Sequence, residues 1–153
     1  MIIEVPKIRP DGEWCEGDEP CSLLDLEGER AIRLSQPIHY KFWVQPVSDK
    51  LVVKGELALP LELECGRCAD FYSTILAVSS FLRAYDISGA VETVDVTPDI
   101  REDILLQLPT FPVCSPDCRG LCPQCGHNLN RGKCSCRPPE AKRWGALDGL
   151  NLG

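Results

Sequence analysis

The sequence predicts an α+β protein: an antiparallel β-sheet or partly closed barrel with one packed helix, followed by a C-terminal cysteine-rich zinc module. Three observations carry this. From Ile38 the apolar residues fall at every second position, a single helical pattern follows at about 98–108, and six cysteines crowd into Cys114–Cys136. Period two marks a strand with one buried face, and apolar residues three and four apart mark a helix that buries one stripe.

The chain has 153 residues, 44% of them hydrophobic, enough for one domain of ordinary size or a domain with a small appendage. Its start, MIIEVPKIRP, lacks the charged start, long apolar run and cleavage site of a secretory signal, and no apolar run approaches membrane-spanning length. The expected location is cytoplasmic, with no membrane partner. In a reducing compartment thiols stay free, so ten cysteines point to metal rather than disulfides.

The net charge of −7 and pI near 4.8 argue against bulk electrostatic binding to nucleic acid. The charge is uneven, however. Residues 1–111 hold 20 acidic and 10 basic residues, whereas residues 112–153 hold 3 and 6. The expected organisation is an acidic β domain over 1–111 and a zinc-binding tail over 112–153, tied to the first by the CGRC at 65–68. The basic residues of the tail also suit the metal sites, since zinc held by four thiolates carries a formal charge of about −2.

In chain order, Ile2–Val5 reads as a short strand broken by Pro6. Residues 10–29, rich in acid, Gly and Pro, read as a mobile loop in which Cys15 and Cys21 are spare thiols. Ile38, Tyr40, Phe42 and Val44 alternate with polar neighbours; after a turn at Pro46–Asp49, Leu51, Val53, Leu57 and Leu59 repeat the pattern, with Gly55 at a bulge. Pro60 interrupts, Leu61 and Leu63 resume, and the strand runs into Cys65. Phe71–Leu82 reads as another strand, which puts CGRC at the tip between two strands. Val91–Val96 reads as one more. Thr97 then caps a helix with Pro98 in its first turn, Ile100, Ile104, Leu105 and Leu108 as its buried stripe, and Pro109 at its end.

The cysteines form four close pairs: Cys65 with Cys68, Cys114 with Cys118, Cys122 with Cys125, and Cys134 with Cys136. A tetrahedral ion bound by four thiolates is readily built from two tight turns, each presenting two sulfurs on one side. All but the last pair have ordinary zinc spacing. Two structural zinc ions are expected, with His127 as a loop residue rather than a substitute ligand. Hydrolytic zinc chemistry wants an open coordination position and a nearby base, and the chain offers only His39 and His127. A thiol oxidoreductase fits poorly, because neither CGRC nor CPQC opens a helix in a βαβ unit. An iron–sulfur protein is compatible with eight cysteines and stays open.

The stretch PTFPVCSPDCRGLCPQCGHNLNRGKCSC, with CGRC upstream and RWGALDGL after it, resembles the YceD-type family of bacterial and plastid proteins linked to accumulation of large-subunit ribosomal RNA. The resemblance covers about residues 38–150. It implies metal binding, nucleic-acid binding and a role in synthesis, processing or stability of 23S ribosomal RNA and ribosome assembly; with the redox and hydrolytic classes fitting poorly, non-catalytic binding without a small-molecule substrate is the expected class. Four pairs combine into two sites in three ways. Relatives that lack the GLCPxCG and CxC part while keeping the rest favour Cys65, Cys68, Cys114 and Cys118 for one site, and Cys122, Cys125, Cys134 and Cys136 for the other. The second would then close a short local loop, GHNLNRGK.

On an RNA-binding reading the phosphate contacts would be Arg119, Arg131, Lys133 and Arg137, then Lys142 and Arg143, with Arg67 inside the CGRC turn as a further candidate. Asn128 and Asn130 suit turn capping better than base contacts. The alternative function is binding of a basic ribosomal protein by the acidic domain, with only an indirect effect on RNA.

Overall fold

A computed structural model describes residues 1–136. Its frame is a three-strand antiparallel meander: β4 (Ile38–Val47), β5 (Lys50–Glu64) and β6 (Phe71–Asp86). The β4–β5 turn is Ser48–Asp49, with Ser48 left-handed at φ 54°; Pro46 belongs to the strand, opposite Leu51. The 65–70 loop joins β5 to β6, so the CGRC does sit at a hairpin tip.

β2 (Glu13–Glu19) pairs with the outer side of β4, and the two-residue β3 (Ile32–Arg33) sits beside the far end of β5, beyond the end of β4. The lanes therefore run β2, β4, β5, β6. Among the described residues the outer strands do not pair with each other, so the sheet is open and the partly closed barrel does not form. Four lanes are too few to bring the edges together. A separate ribbon pairs β1 (Ile2–Glu4) with β7 (Thr93–Asp95).

The loop expected over residues 10–29 is in part a strand. In β2 the residues Trp14, Glu16 and Asp18 face solvent, while Glu13, Cys15, Gly17 and Glu19 are half-buried. Its period-two pattern is hard to read because acid occupies both sets of positions. Leu24, in the following 3-10 turn, is fully buried. Cys15 and Cys21 are half-buried, and burial first, then Glu13, raises the Cys15 pKa, as befits a spare thiol.

Two local features of β5 are answered by register. The β5–β6 ladder slips between Gly55 and Leu57, and a Cβ on Gly55 would lie 2.0 Å from the Lys41 carbonyl oxygen of β4. Glycine is required there by close backbone approach. Pro60 does not end the strand. It lies between the last pair with β4, at Ala58, and the first with β3, at Glu62, so on that side of β5 no strand needs its missing N–H.

The core is one face of this sheet, with Phe42 stacked on Phe81 at 4.6 Å and Leu51, Val53, Leu57 and Leu59 beside them. The single helix α1 (Thr97–Gln107) closes it with Ile100 and Ile104, both fully buried; Leu105 and Leu108 are only half-buried. Thr97 is the first helical residue and not the cap. Its N–H donates to Asp95 Oδ1 at 2.9 Å, so a carboxylate serves the helix start. Arg83 of β6 binds Asp99 at 3.0 Å and Asp103 at 2.5 Å, and the Tyr85 hydroxyl donates to Asp99 at 2.6 Å. Among the described residues no helix is long and apolar enough to cross a membrane.

Candidate metal centre

The CGRC tip is built as a knuckle. After Cys65 the chain turns so that Ala69 N–H donates to the Cys65 carbonyl at 2.9 Å, with Ala69 left-handed at φ 57°. The backbone N–H of Arg67 then points at Cys65 Sγ, 3.4 Å away. The CPQC segment repeats the form: Gly126 N–H donates to the Cys122 carbonyl at 2.9 Å with Gly126 at φ 71°, and the Gln124 and Cys125 N–H groups donate to the Cys122 sulfur. Each turn thus presents two sulfurs on one side and aims backbone donors at the first.

After α1, residues 109–113 return to the tip. Gly66 N–H donates to the Pro112 carbonyl at 2.8 Å, Phe111 lies over Gly66, and Cys114 N–H donates to Cys65 Sγ at 3.4 Å. This brings Cys65, Cys68, Cys114 and Cys118 together, all four sulfurs within 4.8 Å of one another. A second group, equally compact, is Cys122, Cys125, Cys134 and Cys136. In the first group the Cys65–Cys118 and Cys68–Cys114 sulfur separations are both 3.8 Å. Zinc–sulfur bonds of about 2.3 Å at tetrahedral angles put sulfurs about 3.8 Å apart, so the donor set fits one tetrahedral ion. A multi-iron cluster, with each cysteine on its own iron, needs wider spacing.

The electrostatics point the same way. Burial by itself would raise Cys65, yet N–H donation from Cys114, Cys68 and Arg67 brings it down to about 6. Cys114 is pushed up to about 12, first by burial and then by the neighbouring sulfurs. In the second group Cys122 is lowered to about 6 by the Cys125 and Gln124 N–H groups, while Cys136 is pushed up to about 12 by Cys125 and burial. Cys118 is lowered too, first by the Asn130 amide, so ionisation is favoured at some sulfurs and resisted at others such as Cys114 and Cys136. A bound dication supplies the counter-charge that full ionisation requires.

The second knuckle is docked on the first. Leu121 N–H donates to the Arg67 carbonyl at 3.0 Å, and Gly120, at φ 73°, is needed because a Cβ there would stand 3.0 Å from that same oxygen. Asn128, 9% exposed, donates from Nδ2 to Asp70 at 2.7 Å and accepts the Asn130 N–H at 2.9 Å. Asn130 accepts the Arg119 N–H at 2.8 Å and donates from Nδ2 to Cys118 Sγ at 3.3 Å. Both asparagines therefore fasten turns and a sulfur. Asp70, which sequence reasoning passed over, receives both Asn128 and Arg131.

The basic candidates divide. Arg67 Nη1 donates to the carbonyls of Pro116 at 2.9 Å and Cys118 at 3.2 Å, which spends it on the tail's own backbone. Arg131 pairs with Asp70 at 2.9 Å though its side chain is 70% exposed. Arg119 and Lys133 are exposed, and their side chains have no partner among the described residues. Arg137, Lys142 and Arg143 lie outside the described residues, as does the RWGALDGL segment. His127 is exposed, stands in neither sulfur group, and gives its carbonyl to Cys122 N–H at 2.8 Å.

Residues 83–151 match the model of the family described as large ribosomal RNA subunit accumulation protein YceD. An uncharacterized protein of Mycobacterium tuberculosis is 39% identical over 97 residues, covering 54% of this chain and 47% of that protein. An uncharacterized protein of Mycobacterium leprae is 31% identical over 112 residues, covering 64% and 52%. A maize protein named large ribosomal RNA subunit accumulation protein YCED homolog 1, chloroplastic, is 37% identical over 63 residues, covering 40% of this chain and 22% of that protein. The chain spans about half the length of the mycobacterial relatives it matches. No solved structure matches it.

Proposed function

We propose that the chain is a member of the YceD-type family and a non-catalytic, zinc-binding factor acting on large-subunit ribosomal RNA during ribosome assembly in the cytoplasm. The observation that carries the reading is the pair of docked four-sulfur groups, which would hold one zinc ion each and leave Arg119 and Lys133 exposed and without a side-chain partner among the described residues. Basic side chains fixed in this way are pre-ordered contacts for RNA phosphates. The zinc ions would supply folding energy rather than chemistry, because four cysteines fill the coordination sphere and leave no position for substrate.

A second reading has its own support. Residues 10–29 hold eight acidic residues and no basic one, and β2 displays part of this charge along one edge of the sheet. Such a surface suits a basic ribosomal protein. Crosslinking in living cells, followed by identification of what is bound, separates the two. Recovery of large-subunit RNA through the cysteine-rich tail supports the first reading; recovery of a basic ribosomal protein without RNA replaces it with the second.

A further inference from the structure

The two edges of the main sheet are defended differently. β2, on one side, reads EWCEGDE, and its charges would repel any like strand that approached. β6, on the other, is 16 residues long, pairs only with β5 among the described residues, and carries no charged residue from Phe71 through Leu82. It has neither the lysine nor the proline that usually guards an edge. The row of unpaired backbone donors and acceptors that runs up to the bulge at Ser79–Ser80 is a template for another strand.

The flanks of this edge are apolar as well. Ile75 and Leu82, on the open face of the sheet, are 66% and 59% exposed. On the other face Leu106 is 73% exposed, on the same stripe of α1 as Asp99 and Asp103, the two residues that grip Arg83 of β6. Beside it a groove of about 250 Å³ runs between Tyr72, Thr74 and Leu76 of β6 and Gln107 at the end of the helix with Pro109 beyond it.

We propose that the β6 edge pairs antiparallel with β6 of a second copy of this chain, giving a two-fold dimer with one continuous sheet. The occupant follows from the sequence of the edge itself. Antiparallel pairing centred on Ala77 places Leu76 opposite Val78 and Ile75 opposite Ser79, so over residues 75–79, up to the bulge at Ser79–Ser80, the buried faces of the two copies coincide and no two charges meet. The acidic body, which would repel a copy brought against β2, puts no charge on this stretch. The same two-fold carries the Leu106 side chains of the two helices towards each other.

Sedimentation equilibrium on the zinc-loaded full chain tests this. The dimer mass is expected, and Ala77→Lys, at an exposed position on the open face, should weaken dimerisation about tenfold or more by placing two lysines opposite each other. Ser79→Lys, also exposed, is the second variant, and an unchanged far-ultraviolet spectrum shows that each has folded. A chain that stays monomeric across the concentration range overturns the proposal. So does a dimer that folded Ala77→Lys or Ser79→Lys protein forms as tightly as the parent.

Discussion

Asn128 shows how a buried side chain can hold two segments far apart in sequence. It donates to Asp70, 58 positions earlier, while its own carbonyl oxygen fixes the turn at Asn130. Truncation takes the Asn128 amide from Asp70 Oδ2, leaving Asp70 only Arg131, and strips the Asn130 N–H of its acceptor, so Asn128→Ala should lower stability by about 1–2 kcal/mol in urea unfolding of the metal-loaded protein. Unchanged stability would show that the knuckles are held by their sulfurs alone. Tyr85 offers a test of pH dependence. Burial first, and then the bond to Asp99, hold its phenol well above the usual range. A raised value means that the neutral phenol is the folded form, so its contribution is complete below pH about 10 and is lost as pH climbs through the folded value. Tyr85→Phe should cost about 1 kcal/mol at neutral pH and soften the alkaline loss of stability, measured by unfolding at a series of pH values. At this scale the cysteines were legible in the sequence, because metal spacing is local. Asp70 was not, since its partners stand 58 and 61 positions away.

The β4–β5–β6 meander was legible as elements because alternation survives wherever one face is buried, and Gly55 announced its bulge. Gly55→Ala should destabilise by more than about 1 kcal/mol, because the Lys41 carbonyl lies where the methyl would go and β4 would have to move. An alanine variant as stable as the parent would mean that the close approach relaxes freely. β2 was hidden by its composition: acid, Gly and Pro resemble a loop until the pairing of Trp14 with Trp43 and of Glu16 with Lys41 is seen. The helix start was displaced by one residue, because Asp95 competes for the role that the hydroxyl of Thr97 was expected to fill. Barrel closure cannot be read from strand patterns, since it depends on the number of lanes and the sites of pairing.

In the molecule as a whole, one sulfur group lies between the tail and the sheet and the other within the tail, docked on the first. Elemental analysis should find two zinc ions per chain, and Cys122→Ser with Cys125→Ser should leave one while the β body stays folded. Stoichiometric iron after anaerobic purification would contradict the zinc assignment. Removing both ions with a chelator should release the segment after α1 from the CGRC tip, because metal binding worth on the order of 10 kcal/mol in small modules is folding energy. Protection from hydrogen exchange at Gly66 and Leu121, whose N–H groups bind Pro112 and Arg67 across that junction, reports the release directly. The division of four cysteine pairs into two groups was suggested by the family resemblance, and the sulfurs lie in those two groups.

On the proposed function, the cysteine-rich tail meets RNA through basic side chains it does not use on itself. Arg119 and Lys133 are the two that the described residues leave unpaired. The most direct measurement is the affinity of the zinc-loaded protein for a large-subunit ribosomal RNA fragment over a series of salt concentrations, alongside Arg119→Ala plus Lys133→Ala. The double variant should bind more weakly, and its slope of log affinity against log salt should fall by about 2, one for each phosphate contact removed. Equal affinity and equal slope would contradict the claim and transfer the function to the acidic face and a basic protein partner.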